Sequence, residues 1–103
     1  MFTGRILRDP ELKRFKGRNV CVFTAVVATG KINRETGIEI TNFYDCSLWG
    51  DNAEELYSII HKGTIISAVG SMYQHEYVSN GEKKHRIRVE IVNIKVAEHR
   101  IAA

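Results

Sequence analysis

Asn42-Phe43-Tyr44-Asp45-Cys46-Ser47-Leu48-Trp49-Gly50 reads as one β-strand ended by a glycine, and it carries the only tryptophan of the chain. Successive side chains on a strand point to opposite faces. Tyr44, Cys46 and Leu48 make a set suited to a core. Phe43, Asp45, Ser47 and Trp49 make the other, in which two large aromatics stand among polar residues. A merely solvated face needs no such rings. An exposed aromatic on a rigid strand is a surface on which a flat ligand such as a nucleobase can stack.

Outward from this strand, the pattern alternates between strands and turns. Val20 to Thr29 is rich in β-branched residues and predicts a strand with Cys21, Phe23, Ala25 and Val27 on one face. Phe2 to Leu7 predicts a shorter one, broken by Pro10, which cannot donate to a ladder and biases Asp9 to extended geometry. Lys13 to Asn19 reads as a basic turn, and Gly30 to Thr41 as a hairpin loop. Downstream, Asp51 and Glu54 look like a helix N-cap and its partner three residues on. Ala53, Leu56, Tyr57 and Ile60 then give one apolar stripe on a helix of about three turns, with Gly63 as C-cap. Thr64 to Val78 predicts a long strand, bent or bulged at Gly70. Asn80-Gly81 is a strong hairpin signal. His85 to Val96 is the last strand, with a parity switch after Ile91 that implies a bulge or burial on both faces. Glu98 to Ala103 reads as a short tail.

Five strands with a helix between the third and fourth is the order of an OB-fold, an all-β Greek-key barrel whose open face takes oligonucleotides or oligosaccharides. The expected organisation is one such domain over residues 1–103. At 103 residues and 44% hydrophobic, the chain has material for a single core. No apolar run approaches the roughly 20 residues of a membrane helix, and no secretory signal is evident, so a cytoplasmic location is expected. Cys21 and Cys46 are too few for a disulfide scaffold and are expected to be reduced core residues. The net charge of +3 is mild. Its distribution is less so, since residues 1–19 hold six basic side chains against Asp9 and Glu11. A local basic patch steers polyanions. No catalytic constellation is found. His61, His75, His85 and His99 have no metal-ligand spacing among themselves or with the cysteines, and Cys46 lies in core parity. No enzyme activity, metal or cofactor is expected.

These residues also resemble a family. Gly4-Arg5-Ile6-Leu7-Arg8-Asp9-Pro10-Glu11-Leu12 and Val22-Phe23-Thr24-Ala25-Val26 are similar to the first half of bacterial single-stranded DNA-binding proteins. So are Asn42 to Gly50, the Ala53-Glu54 helix start, Lys62-Gly63 before a strand, and Gly70 seven residues before an aromatic. The resemblance runs from about Phe2 to Val96 and implies a non-catalytic protein that coats single strands during replication, recombination or repair, as a homo-oligomer. It places stacking aromatics at Phe43, Trp49 and Tyr77. Lys31 stands where many members have a fourth, exchanging a stack for a phosphate contact. The first strand starts late relative to the family, which puts the usual tetramer in question beside a dimer. The sequence ends at Ala103 without the Gly- and Pro-rich linker and acidic tip of cellular members. Recruitment of partners through such a tail is therefore not expected, and a phage or mobile-element origin is favoured.

The expected mechanism has two parts. Trp49, Phe43 and Tyr77, with Tyr73, offer ring faces to unpaired bases. Arg5, Lys31, Arg34, His75, Arg86 and Arg88 line the path of the phosphates. Arg86 and Arg88 read equally well as an ordinary solvated strand face. Tyr44 and Tyr57 are assigned to core or interface. Ile65, Ser67 and Val69 form an apolar outward parity, read as lying under a loop, with a subunit contact as the alternative. Two rival functions remain: a primosome-type accessory OB protein that binds single strands and a helicase, and a barrel that takes a peptide or an oligosaccharide.

Overall fold

A computed structural model describes residues 1–97 and 99–102, without the side chains of His85 and His99. Glu98 and Ala103, in the expected tail, lie outside the described residues. The elements run β1 (Phe2–Ile6), β2 (Glu11–Phe15), β3 (Arg18–Ile32), β4 (Glu39–Trp49), α1 (Ala53–Ile59), β5 (Ile65–Ser79), β6 (Glu82–Val96) and β7 (His99–Ala102). The sheet order is β1-β5-β6-β4-β3-β2, and β1 also pairs with β3. That last pairing closes five strands into a ring. All neighbours in the ring are antiparallel except β4 and β6. This is the connectivity of the OB-fold, with α1 between the third and fourth ring strands as expected.

Closure depends on small residues. A Cβ on Gly4 would meet the Val26 carbonyl oxygen at 2.9 Å, so glycine lets β1 lie against β3. On Gly70 it would overlap the Glu90 carbonyl. There the β5–β6 register shifts, from Val69 opposite Asn93 to Gly70 opposite Ile91. Val92 is the extra residue, turned outward and exposed. The bulge bends the strands, as small barrels require, and accounts for the parity switch after Ile91.

Three expectations are corrected. The basic stretch after Pro10 is not one long turn. Glu11–Phe15 pairs with β3 through a two-residue turn at Lys16-Gly17, whose φ values of 49° and 79° are those of a tight hairpin. The helix has seven residues, about two turns, and is preceded by Asn52 with no side-chain cap. Asp51 does not cap it. Residues 99–102 of the tail are a strand, β7, pairing with β6 and burying Ile101.

The core lies inside the ring. Cys21, Phe23 and Ala25 from β3 meet Cys46 and Leu48 from β4, Ile66 and Ala68 from β5, and Val89, Ile91 and Ile94 from β6. Leu56 and Ala53 of α1 plug one end. Tyr44 packs its ring edge-on against Phe2 at 5.0 Å. Tyr57 is exposed, not core. Ile65 and Val69 are 60% and 45% exposed, so no loop covers them. Both cysteines are free and buried. Among the described residues no helix is long and apolar enough to cross a membrane.

Candidate nucleic-acid interface

The alternation read in β4 is the one the ring imposes. Cys46 and Leu48 are buried, whereas Phe43, Asp45, Ser47 and Trp49 face outward. Register extends this face over four strands. Val22, Thr24 and Val26 of β3 stand opposite Ser47, Asp45 and Phe43. On the other side Arg88 lies opposite Asp45, and Glu90 opposite Ser47. Beyond them β5 sets Ser71, Tyr73 and His75 against Glu90, Arg88 and Arg86. Rings and charges from separate strands therefore share one open surface.

Three shallow hollows follow one another across it. The central one, about 500 Å³, is bordered by Arg8, Lys13, Asp45, Tyr73, Arg86 and Arg88. A second, about 450 Å³, joins it through Arg8 and Arg86 and is walled by Phe43 and Tyr77. The third, about 460 Å³, lies at the other end beside Trp49, with Arg18, Ser71 and Glu90.

Electrostatics within the central hollow are set by one pair. Arg86 donates from Nη2 to Asp45 Oδ1 at 2.8 Å, and its Nε lies 2.5 Å from Oδ2. Thr24 donates a further hydrogen bond to Oδ1 at 3.2 Å. The hydrogen bond to Asp45 pushes the Arg86 pKa up. Arg86 is thus fully charged but faces a carboxylate, whereas no ion pair is found for Arg88 among the described residues.

Trp49 is half-buried in a small cluster. Phe15 approaches its ring edge-on, with centroids 6.2 Å apart at 71°. The Arg18 guanidinium lies over the ring, 5.2 Å from its centroid, within cation–π range. Lys16 Nζ stands 5.5 Å from the centre of the Phe15 ring. Phe15 itself is 57% exposed. At the far end His75 and Tyr77 are near-parallel, with centroids 6.5 Å apart.

Of the residues singled out from sequence, Trp49, Phe43, Tyr77, Tyr73, Arg86 and Arg88 border these hollows. His75 joins the surface through Tyr77. Lys31 and Arg34 are exposed at the β3–β4 hairpin, and Arg5 sits on β1; none of these three borders the three hollows described. Sequence reading counted Arg8 and Arg18 only within the basic patch of residues 1–19 and passed over Phe15 and Glu90. Phe15 and Arg18 lie in the stretch read as a turn and Arg8 in the break before it, where no strand pattern set their side chains on the binding face.

Among the described residues no group of three or more His, Cys, Asp or Glu could hold a metal ion. Burial pushes the Cys21 and Cys46 thiols up to about 12, so at neutral pH both are protonated and unreactive.

Comparison with known proteins bears on the fold and the family. A single-stranded DNA-binding protein of Treponema pallidum (strain Nichols) is 25% identical over 97 residues, covering 93% of this chain and 55% of that protein. One from Synechocystis sp. (strain ATCC 27184 / PCC 6803 / Kazusa) is 39% identical over 73 residues, covering 68% of this chain and 56% of that protein. The chain thus spans little more than half the length of these relatives. Among solved structures, the small single-stranded DNA-binding protein from Streptomyces coelicolor superposes with a TM-score of 0.78 at 14% identity, covering 94% of this chain and 91% of that one. At that identity the likeness shows the fold. The model of the single-strand binding protein family matches residues 1–97, nearly the whole sequence, and the chain belongs to that family.

Proposed function

We propose that this protein binds single-stranded DNA largely without regard to sequence, its whole length acting as one OB-fold nucleic-acid-binding domain. The observation that carries the reading is the continuous outer face of β3, β4, β5 and β6. There Trp49, Tyr73, Phe43 and Tyr77 alternate with Arg18, Arg88 and Arg86, and Arg8 borders the same face from the bend between β1 and β2. Every base has a π face, so stacking tolerates any sequence, and it contributes about 1–3 kcal/mol per base. The cations release counterions from the phosphates. A duplex, whose bases already stack on each other, offers neither rings nor a flexible backbone to this surface.

The test is a titration with poly-dT, following Trp49 fluorescence at several salt concentrations. Quenching is expected, with log K falling against log salt at a slope near −3.5 if about five phosphates are neutralised. Unchanged emission at saturating oligonucleotide would sink the proposal. Binding of a peptide or oligosaccharide in its place would respond little to salt.

The wider role follows as part of the same proposal: protection of exposed single strands in the cytoplasm during replication, recombination or repair. We also infer a homo-oligomer, a dimer or tetramer, supported by the uncovered Ile65 and Val69 on β5. Light scattering with and without oligonucleotide measures subunit number directly, and a monomer under both conditions would remove that part.

A further inference from the structure

The hollow beside Trp49 holds a carboxylate with neither a cation nor a hydrogen-bond donor on it among the described residues, whereas in the central hollow Asp45 and Glu11 face cations and Asp9 accepts the Lys62 N–H. Glu90 projects outward from β6 between the buried Val89 and Ile91. Among the described residues no hydrogen bond or ion pair holds it, whereas Asp45 on the neighbouring strand is neutralised by Arg86. A free carboxylate works against phosphate attraction. What it does well is accept N–H donors, and it stands in a hollow of about 460 Å³ with a tryptophan ring on one wall. That volume lies within the range of roughly 300–1,000 Å³ typical of small-ligand clefts.

Base edges differ in how they meet a carboxylate. Guanine presents N1–H and its 2-amino group side by side, two donors for two oxygens. Adenine and cytosine present one amino group beside a ring nitrogen acceptor, which repels the second oxygen. Thymine presents one N3–H between two carbonyls, which repel both. Unstacked bases in single strands are read along this edge while resting on an aromatic ring. The Arg18 guanidinium lies over the Trp49 ring and has to swing off that face for a base to stack there, which frees it for the phosphate of the bound nucleotide.

We propose that the Trp49 hollow is a base-reading subsite that favours guanine, stacked on Trp49 and donating N1–H and its 2-amino group to the Glu90 carboxylate. The inference rests on the single-strand reading above and qualifies it at this one position.

The experiment compares poly-dT with oligonucleotides in which isolated guanines, too sparse to fold on themselves, replace single thymines. Inosine, which lacks the 2-amino group, serves at the same places. Guanine should raise affinity about fivefold or more, as a bidentate contact does at the lower end of its range, with inosine between guanine and thymine. Glu90→Gln should remove most of the guanine advantage and strengthen binding to pure poly-dT, since a negative charge leaves the phosphate path. Equal affinity for guanine and thymine strands would overturn the subsite, as would a guanine advantage that survives Glu90→Gln. Failure to bind any of these strands would instead overturn the single-strand reading itself.

Discussion

At the scale of single residues, the proposed surface offers a few side chains whose neighbours decide what each can do. Trp49 has the Phe15 ring in a T-shaped contact and the Arg18 guanidinium over its own ring, and these neighbours restrict its rotamers before any ligand arrives. A ring already ordered loses little side-chain freedom on binding. Trp49→Ala should therefore cost about 1–3 kcal/mol of single-strand affinity and more than loss of any other single ring. The two neighbours separate by salt. Phe15→Ala should weaken binding at every salt concentration with an unchanged slope, because it removes apolar contact and no charge. Arg18→Gln should make the slope shallower by about 0.7, the value of one phosphate contact on a single strand. Identical salt slopes for the wild type and Arg18→Gln would remove Arg18 from the phosphate path. Asp45 acts in the opposite sense. By holding Arg86 it lowers the net positive charge of the central hollow, so Asp45→Asn should bind tighter at low salt with a steeper slope. An unaltered slope would mean that Arg86 meets no phosphate.

At the scale of elements, the ring strands were legible because each has one face in the core. The alternation of Tyr44, Cys46 and Leu48 with Phe43, Asp45, Ser47 and Trp49 could satisfy a barrel in only one phase, and a slip by one residue would bury Asp45. The Asn80-Gly81 turn was equally plain, both residues having positive φ. The β2–β3 hairpin was not, because its turn places a lysine at φ 49° where Asn, Asp or Gly is usual, and because all five residues of β2 are exposed and carry no core pattern. β7 is four residues long and takes its stability from burying Ile101, which only the closed barrel supplies. In the candidate site, the rings were legible from strand parity. The Asp45–Arg86 pair was not, since its members are 41 residues apart and meet only because β4 and β6 run parallel. Gly70 was flagged as a bend, and the structure gives the reason as close approach of backbone, not freedom of φ. Gly70→Ala must push the Glu90 carbonyl aside. It should lower stability by at least about 1–3 kcal/mol, the usual cost of overpacking, seen as a lower urea midpoint. It should also weaken DNA binding, because Glu90 and Ser71 border the Trp49 hollow. A variant as stable as the wild type would mean that the bulge can move without strain.

At the scale of the whole molecule, the closed ring makes the core a dry compartment, and the two thiols inside it tie stability to pH. Cys21 and Cys46 face the interior from adjacent strands, Cys21 opposite Leu48 and Cys46 opposite Phe23. Burial pushes both up to about 12 from an ordinary value of 9.0, and the Asp45 charge adds to the rise at Cys46. Below pH 9 both thiols are protonated whether the chain is folded or not, so their contribution to stability is constant. Above it the unfolded chain releases two protons that the folded chain keeps, and the unfolded state gains. Stability should therefore fall as pH rises from 9 towards 12, each thiol adding up to about 1.4 kcal/mol per pH unit. Urea unfolding at about pH 8 and about pH 10 measures the difference, since the midpoint reports stability when the m-value is unchanged. To isolate the thiols, the comparison is with the Cys21→Ala, Cys46→Ala double variant. That variant should be less stable at the lower pH, because it leaves cavities in the core, yet lose less on going to the higher pH. Equal losses in the two proteins would show that the barrel opens enough on alkalinisation to hydrate its thiols, and the core would then not be the sealed unit that the five-strand ring implies.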